Sequence, residues 1–205
     1  MTTTMATAST PAHAGRIGPN AITRLAEVLP AFVGSRATWQ LFESAGLAAY
    51  LQTPPEQMVD ETEVTRLHRT MRTALGSEMA SRASRSAGQR TADYLLAHRI
   101  PKPVQTLLKA LPAALASPLL LAAIRRHAWT FAGSGEFTAT AGRPVRLSIR
   151  NNPLCKGVST EAPACDFYAA TFERLFRVLV HPQATVLETA CEACGDEACQ
   201  FEVRW

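Results

Sequence analysis

Five cysteines are the residues whose type and spacing most clearly predict chemistry in this chain. The segment ETACEACGDEAC holds Cys191, Cys194 and Cys199, and Cys155 and Cys165 lie upstream. Thiolates this close together bind a metal, form a redox pair or make a structural disulfide. The choice among these chemistries bears directly on what the protein does.

A zinc site shared between a helix and a hairpin is the first candidate. Structural zinc takes four ligands from thiolate, imidazole and carboxylate groups. One possible set combines Cys165, at the start of a predicted helix, with Glu188, Cys191 and Cys199 of a predicted C-terminal hairpin. Zinc bound in this way would hold the helix to the hairpin and add to the free energy of folding.

Other chemistries use the same sulfur atoms. A second zinc set takes Cys191, Cys194 and Cys199 together with Cys155 or Cys165, and an iron–sulfur cluster would use the same thiolates. A redox disulfide between Cys191 and Cys194 is less favoured, because thioredoxin-like CxxC motifs open a helix and here a strand is predicted to follow. The remaining alternative is that the cysteines are free and buried.

The composition is that of one globular domain. The chain has 205 residues, of which 47% are hydrophobic and 19% charged, with a net charge of +4. The basic residues are spread along the chain rather than concentrated near the cysteines, so we expect no nucleic-acid partner. Nothing in the sequence has the pattern of a signal peptide, and prolines interrupt the longest apolar stretch. We therefore expect a cytoplasmic protein with reduced cysteines and no transmembrane span.

The elements that would position the cysteines follow from hydrophobic periodicity. Residues 1–17 are predicted to be a disordered tail, and residues 18–205 a single domain. Helices are predicted over 18–29, 37–51, 54–75, 77–98, 104–126 and 164–180, with kinks at Pro112 and Pro118 in the fifth. Strands are predicted over 127–131, 136–141, 145–150, 185–190 and 200–205. This order predicts an α+β fold, in which N-terminal helices pack on an antiparallel sheet with a C-terminal helix and hairpin.

Several stretches together resemble one protein family. They are TRLHRTMRTALG, SRSAGQRTADYLLAHRIP, AIRRHAWTFAGSGEF, RNNP, CDFYAATFERLFRVLV and ETACEACGDEACQFE. Their combination resembles the bacteriochlorophyll 4-vinyl reductase family, from which the 4-vinyl reductase domain takes its name. The resemblance covers nearly all of residues 18–205. It implies a role in bacteriochlorophyll biosynthesis and photosynthesis, a fold like TRAPP subunits and haem nitric-oxide-binding domains, a small-molecule pocket and a homodimer.

The resemblance also implies a ligand set for zinc. Some family members hold zinc through an upstream cysteine and the pattern Glu-x2-Cys-x7-Cys. Glu188, Cys191 and Cys199 match that pattern, and Cys165 takes the upstream position. Cys194 lies outside the pattern and is the alternative ligand.

A chlorophyll precursor is the ligand that the resemblance implies. Such a magnesium tetrapyrrole is flat and apolar, with carboxylates at its edge, so it requires apolar walls, polar anchors and an axial ligand. Ordinary core packing or a solvated face is the alternative role for each candidate. The candidates are Leu111 and Leu115 as walls, Trp129 and Phe131 as aromatic contacts, Arg66 and Arg69 for carboxylates, and His127 for magnesium.

Three functions are consistent with these observations. The family name implies reduction of a vinyl group, which requires a hydride donor. The sequence contains no G-x-G-x-x-G turn after a strand and no P-loop, and it identifies no catalytic residue. We therefore favour a carrier or assembly factor for divinyl protochlorophyllide, chlorophyllide or a Mg-porphyrin. The alternatives are a divinyl chlorophyllide reductase and a zinc-containing sensor domain.

A carrier of this kind implies two further expectations. Its partners would be other enzymes of bacteriochlorophyll synthesis. Its place would be the cytoplasm, at the periphery of the photosynthetic membrane.

Overall fold

A four-stranded antiparallel sheet and seven helices make up the part of the chain that the computed structural model describes, residues 15–205. The sheet order is β3-β4-β6-β5, and a small second sheet pairs β1 with β2. This architecture confirms the predicted α+β fold. The elements are β1 Arg16–Ile17, α1 Asn20–Ser44, α2 Ala49–Gln52, β2 Val59–Asp60, α3 Glu61–His98, α4 Lys102–Ala110, α5 Ala113–Arg126, α6 Trp129–Ala132, β3 Glu136–Thr140, β4 Val145–Arg150, α7 Asp166–Leu179, β5 Thr185–Ala190 and β6 Cys199–Arg204.

The N-terminal boundary of the domain lies earlier than predicted. Arg16 and Ile17 fall within the predicted tail, yet they form β1 and pair with Asp60 and Val59 of β2. The burial of Ile17 explains this position, since its side chain belongs to the core. The rest of the predicted tail, residues 1–14, lies outside the described residues.

The two long N-terminal helices each contain a kink at a glycine. Gly34 in α1 has φ 79° and Gly76 in α3 has φ 75°, a conformation that residues with a Cβ rarely adopt. The predicted break at residue 76 is therefore a kink within α3 rather than a gap between helices. Likewise, the first two predicted helices are largely one element, because α1 continues through Gly34 as far as Ser44.

The predicted helix over 104–126 is two helices. Leu111 has an extended backbone, with φ −83° and ψ 147°, and separates α4 from α5. The proline at position 112 explains this break, because the residue before a proline is disfavoured in the helical region. Pro118 lies inside α5 without ending it.

The predicted strand over 127–131 is wrong. His127 N donates to the carbonyls of Ala123 and Ile124 at the end of α5, and Ala132 N donates to Ala128 O at 2.8 Å. The backbone thus continues into the short helix α6 instead of extending. Because of this, Trp129 and Phe131 do not alternate along a strand.

Helix α7 covers one face of the sheet and carries the start of the cysteine site. Its buried side chains include Phe172 and Phe176, and the sheet contributes Leu147, Ile149 and Phe201 to the same core. On its other side α7 approaches α3 at Gly88, where Thr171 Oγ1 donates to the Gly88 carbonyl at 3.1 Å. The helix is therefore fixed between the N-terminal helices and the sheet.

A buried carboxylate joins α3 to the loops near the cysteine site. Glu61, at the start of α3, accepts hydrogen bonds from Ser134 N and Ser134 Oγ, both at 2.6 Å, and from Lys156 Nζ. Burial raises the pKa of Glu61, but the hydrogen bonds from Lys156 and Ser134 outweigh it and leave the pKa lowered. The ionised carboxylate thus holds the α6–β3 loop and the chain just after Cys155.

No helix within residues 15–205 combines the length and apolar character needed to cross a membrane.

Candidate metal centre

Four buried cysteine sulfur atoms meet beside the β5–β6 hairpin. Cys155 comes from the loop after β4, Cys165 precedes α7, Cys191 follows β5 and Cys199 begins β6. Their six sulfur–sulfur distances run from 3.2 Å between Cys155 and Cys165 to 4.0 Å between Cys199 and Cys191. Zinc–sulfur bonds of about 2.3 Å in a tetrahedron place the sulfurs about 3.8 Å apart. The cluster therefore has the dimensions of a tetrahedral metal site.

All four of these cysteines are free thiols. The shortest separation, 3.2 Å, is far longer than the disulfide bond length of about 2.05 Å. Each of the four is buried, whereas Cys194 is exposed. A closed group of four thiols in a core otherwise made of apolar side chains can hold a metal ion.

The loop between β4 and α7 brings Cys155 to the cluster. Asn151 and Asn152 donate their backbone N–H groups to the carboxylate of Glu192, and Asn151 has φ 54°. Cys155 N then donates to Asn152 O at 3.0 Å. The loop is thereby held against the short turn Glu192–Cys194, which separates Cys191 from Cys199.

Two N–H donors point at the sulfur atoms. Asn152 Nδ2 lies 3.2 Å from Cys165 Sγ, and Glu192 N lies 3.4 Å from Cys199 Sγ. Hydrogen bonds of this kind stabilise thiolates and orient metal ligands. Asn152 is itself fully buried, so the amide is fixed in this role.

Arg72 places a positive charge beside the cluster. Its guanidinium, on α3, donates to Leu154 O at 2.9 Å and to Ala164 O. These carbonyls belong to the residues just before Cys155 and Cys165. Arg72 thus fixes the two upstream ligands and offsets negative charge that a thiolate cluster would bring.

The pKa values show how the thiols share protons without a metal. Hydrogen bonds from the thiols of Cys155 and Cys165 lower the pKa of Cys191. Hydrogen bonds with Cys155 and with the other thiols, together with burial, raise the pKa of Cys165. The thiols therefore do not ionise together, because each thiolate opposes the next. A bound dication would remove this opposition.

Glu188 lies beside the cluster. Its Oε2 accepts a hydrogen bond from Cys165 N at 2.8 Å, while Oε1 is buried without a partner. Burial, followed by the charge of Cys191, raises the pKa of Glu188 to about 9. Of the predicted ligands, the structure brings Cys165, Cys191 and Cys199 together and adds Cys155, which the sequence placed only in the alternative set.

Cys194 lies apart from the four sulfurs. It is exposed on the turn Glu192–Cys194, and its sulfur is 3.8 Å from Thr160 Oγ1. No described donor group joins it to Cys155, Cys165 and Cys199 in the tetrahedral arrangement.

The predicted tetrapyrrole ligands fall into separate regions. On α3, Arg66 donates to Ala45 O, and Arg69 is exposed next to Gly157. Leu111 is half-buried at the break between α4 and α5, and Leu115 is 56% exposed on α5. The structure therefore does not bring the two arginines into a common wall with these leucines.

The other predicted tetrapyrrole ligands lie where α5 ends and α6 begins. His127 is exposed, Trp129 is 44% exposed, and Phe131 is half-buried. The Phe131 ring packs edge-on against Phe137, with ring centres 5.2 Å apart, and its carbonyl accepts a hydrogen bond from Tyr168 Oη at 2.7 Å.

Two hollows elsewhere on the surface have volumes of about 340 and 300 Å³. The first is lined by Arg143, Pro144, Val203, Arg204 and Trp205, and the second by Gln89, Asp93, Ala170, Glu173, Arg174 and Arg177. Neither hollow is lined by a predicted tetrapyrrole ligand.

Structural comparison supports the fold. The chain superimposes on an H-NOX protein from K. algicida with a TM-score of 0.60 at 9% identity, covering 92% of this chain and 96% of that one. An oxygen-binding H-NOX domain related to soluble guanylate cyclases gives a TM-score of 0.52 at 11% identity, covering 92% and 94%. The similarity extends over nearly the whole length of both chains.

Sequence comparison identifies the family. Residues 145–205 match the 4-vinyl reductase domain. The bacteriochlorophyll synthase 23 kDa chain of Cereibacter sphaeroides is 47% identical over 94% of this chain and 92% of its own. That of Rhodobacter capsulatus is 38% identical over 91% and 85%. The chain therefore belongs to the bacteriochlorophyll synthase 23 kDa chain family, as the resemblance to 4-vinyl reductases predicted, and its 4-vinyl reductase domain contains all four clustered cysteines.

Proposed function

We propose that this protein binds a magnesium tetrapyrrole precursor and carries it between enzymes of bacteriochlorophyll synthesis. The observation that carries this proposal is the 47% identity to a bacteriochlorophyll synthase chain over nearly the full length of both proteins. The H-NOX likeness supports it by analogy alone, because one of those structures concerns heme distortion in the H-NOX family.

The junction of α5 and α6 has the chemistry that such a ligand requires. His127 is exposed and offers an imidazole for magnesium, and Trp129 presents a partly exposed ring beside it. Arg125 and Arg126 immediately precede them and are exposed, so they can meet the carboxylates. The half-buried Phe131 anchors this junction to the core. We propose these residues as the pigment surface.

The glycines near this surface favour a carrier over a reductase. A phosphate cradle joins a strand to a following helix, so that the helix N-terminus faces the phosphates. Gly133, Ser134 and Gly135 instead join the helix α6 to the strand β3. Within residues 15–205 no other glycine-rich turn supplies the G-x-G-x-x-G pattern. A reductase would therefore hold its hydride donor through residues of a different type.

We also propose that the cysteine cluster holds zinc as a structural ion. Four thiolates leave no open position for a substrate, which is typical of structural zinc. The ligands come from four separate points of the chain between β4 and β6, so the ion would hold the 4-vinyl reductase domain together. In this proposal Cys155 takes the position that Glu188 has in the family pattern, and Glu188 orients the backbone of Cys165.

An absorption titration tests the proposed carrier function. Divinyl protochlorophyllide is added to the purified protein, and spectra are recorded over time with and without NADPH. We expect an immediate shift of the pigment bands on binding, with no later blue shift in either sample. A progressive blue shift with NADPH would show vinyl reduction and establish the enzyme instead.

A matched pair of histidine variants tests the proposed surface. His127→Ala is expected to weaken pigment binding about tenfold or more, because an axial ligand is lost. His98→Ala, at another exposed histidine, is expected to leave it unchanged. Equal affinities for both variants would rule out the α5–α6 junction. Failure of the wild type to bind any magnesium tetrapyrrole, with retention of a smaller aromatic compound, would favour the sensor alternative.

The same proposal implies partners and a place. A carrier exchanges its cargo with enzymes that make and use it, so we propose other bacteriochlorophyll-synthesis enzymes as partners. We further propose that it works in the cytoplasm, at the edge of the photosynthetic membrane. Co-purification of the tagged protein with such an enzyme, dependent on added pigment, tests the first part.

A further inference from the structure

Helices α4 and α5 expose leucines that the core does not use. On each helix one side is buried, through Leu108 on α4 and Leu120 and Leu121 on α5. The opposite sides are strongly apolar as well. The exposed residues are Val104 at 42%, Leu107 at 56%, Leu115 at 56% and Leu119 at 49%. Exposed apolar groups that recur on two joined helices indicate an interaction surface.

The charges around these leucines are all positive. No acidic residue lies between Asp93 and Glu136. The exposed cations in this interval are Arg99, Lys102, Lys109, Arg125 and Arg126. Within residues 15–205 none of these five cations forms one of the ion pairs seen elsewhere in the molecule. The surface therefore combines exposed leucines with cations that lack a carboxylate partner.

We propose that the surface formed by Val104, Leu107, Leu115 and Leu119, with Lys102 and Lys109, docks on an anionic lipid bilayer. Amphipathic helices with leucines on one face and lysines beside it lie in the interface between headgroups and acyl chains. Anionic lipids attract each nearby lysine or arginine. The complementary charge favours lipid over a protein partner of mixed charge. We refer to these residues as the α4–α5 surface.

The shape of the two helices suits an interfacial position. Prolines at positions 101, 103, 112 and 118 divide the segment, and α4 and α5 span only 9 and 14 residues. Both helices are too short to cross the hydrocarbon core, which requires about 20 apolar residues. They can instead lie along the bilayer with the leucines inserted and the lysines at the headgroups.

This position would place the proposed pigment surface at the membrane. Leu119 and Arg126 are both on α5, about 10 Å apart along the helix axis. A pigment precursor that partitions into the bilayer would then reach the α5–α6 junction without crossing water. The membrane proposal does not depend on pigment binding, since it rests on the leucines and lysines alone.

Vesicle flotation of the full-length, zinc-loaded protein tests the proposal. Vesicles of phosphatidylcholine alone are compared with vesicles that also contain phosphatidylglycerol, at low and high sodium chloride. We expect binding to the mixed vesicles, little binding to phosphatidylcholine, and weaker binding at high salt. Absence of binding to the mixed vesicles would overturn the proposal.

Matched variants identify the surface. Leu107→Gln with Leu119→Gln is expected to lower vesicle binding about tenfold or more, and Lys102→Gln about fivefold. Leu187→Gln is the control, because Leu187 is 64% exposed but lies on β5. Unchanged binding of the double leucine variant, with circular dichroism equal to that of the wild type, would contradict the proposal.

Two further readouts separate this proposal from its alternatives. Light scattering tests self-association: if the double leucine variant turns a dimer into a monomer and the wild type ignores vesicles, the surface is a dimer interface and the proposal fails. A pigment titration without vesicles tests the carrier function separately. Normal pigment binding by a variant that no longer floats with vesicles would support both proposals.

Discussion

The four clustered cysteines show how individual side chains make a site that their spacing only partly reveals. Cys191 and Cys199 are close in sequence, but Cys155 and Cys165 reach them through a loop held by Glu192 and Arg72. The six similar sulfur–sulfur distances are what distinguish this arrangement from four unrelated buried thiols. Each cysteine should therefore contribute comparably to metal binding.

A pair of serine substitutions tests the zinc proposal at a single atom. Cys199→Ser is expected to lose most of its zinc and to lower the free energy of unfolding by about 2 kcal/mol or more, because a buried ligand is lost. Cys194→Ser is the matched control, since Cys194 is exposed and outside the cluster. Zinc content by atomic absorption and urea unfolding provide the measurements. Equal stability and zinc content for both variants would contradict a structural zinc site.

A second pair separates Cys155 from Glu188 as the fourth ligand. Cys155→Ser is expected to lower zinc affinity by more than about 100-fold, since it removes a ligand. Glu188→Gln keeps an acceptor for Cys165 N and should change zinc affinity less than about 100-fold. Competition with a chromogenic chelator measures both affinities. The opposite order would make Glu188 the ligand, as the family pattern implies.

The sequence predicted three of the four clustered sulfurs. Cys165, Cys191 and Cys199 were identifiable because they lie at the predicted ends of a helix and of a hairpin. Cys155 was harder to assign, because its place depends on Asn151 at φ 54° and on hydrogen bonds to Glu192. The RNNP turn before it was part of the resemblance, but its geometry was not predictable from spacing.

Among the elements, the approach of α7 to α3 fixes the start of α7 and so the position of Cys165. Gly88 allows this approach. A Cβ at position 88 would overlap the carbonyl oxygen of Phe167 and lie 3.0 Å from the Cβ of Ala170. Backbone atoms cannot move aside as a flexible side chain can, so the two helices would have to separate.

Gly88→Ala tests this contact. In an unhindered helix this substitution stabilises by about 1 kcal/mol, but here we expect a loss of about 1–3 kcal/mol in the free energy of unfolding because of overpacking. Ala97→Gly on the exposed side of the same helix reports the helix propensity alone. Thermal or urea unfolding measures both. A stabilised Gly88→Ala variant would mean that α3 and α7 do not pack this closely.

Hydrophobic periodicity identified the regular elements well and the irregular junctions poorly. The strands over 145–150 and 185–190 are confirmed, because their alternating residues face a core and solvent. The stretch from His127 to Phe131 failed, since five residues with alternating aromatics fit a strand or a helical turn equally. Continued hydrogen bonding from the end of α5 decided it in favour of a helix.

For the whole molecule, the stability depends on a buried histidine that joins α3 to α1 and α7. His68 is fully buried, its Nε2 lies 3.1 Å from Ala21 O, and its ring meets Phe167 edge-on. Burial, followed by the charge of Arg72, lowers the pKa of His68 to about 3. The folded protein therefore keeps this imidazole neutral, whereas the unfolded chain protonates it near pH 6.5.

The sign of the resulting pH dependence follows from proton uptake. Between about pH 6.5 and 3 the unfolded chain binds a proton at position 68 that the folded protein does not, so stability falls as pH falls, by at most about 1.4 kcal/mol per pH unit. His68→Gln, which retains an amide to donate to Ala21 O, should lower stability at pH 7 and flatten this slope. The exposed His98→Gln should keep the wild-type slope. Urea unfolding between about pH 5 and 7, with zinc held in excess, measures all three proteins. A wild-type slope in the His68→Gln variant would mean that other groups cause the acid sensitivity and that position 68 does not control it.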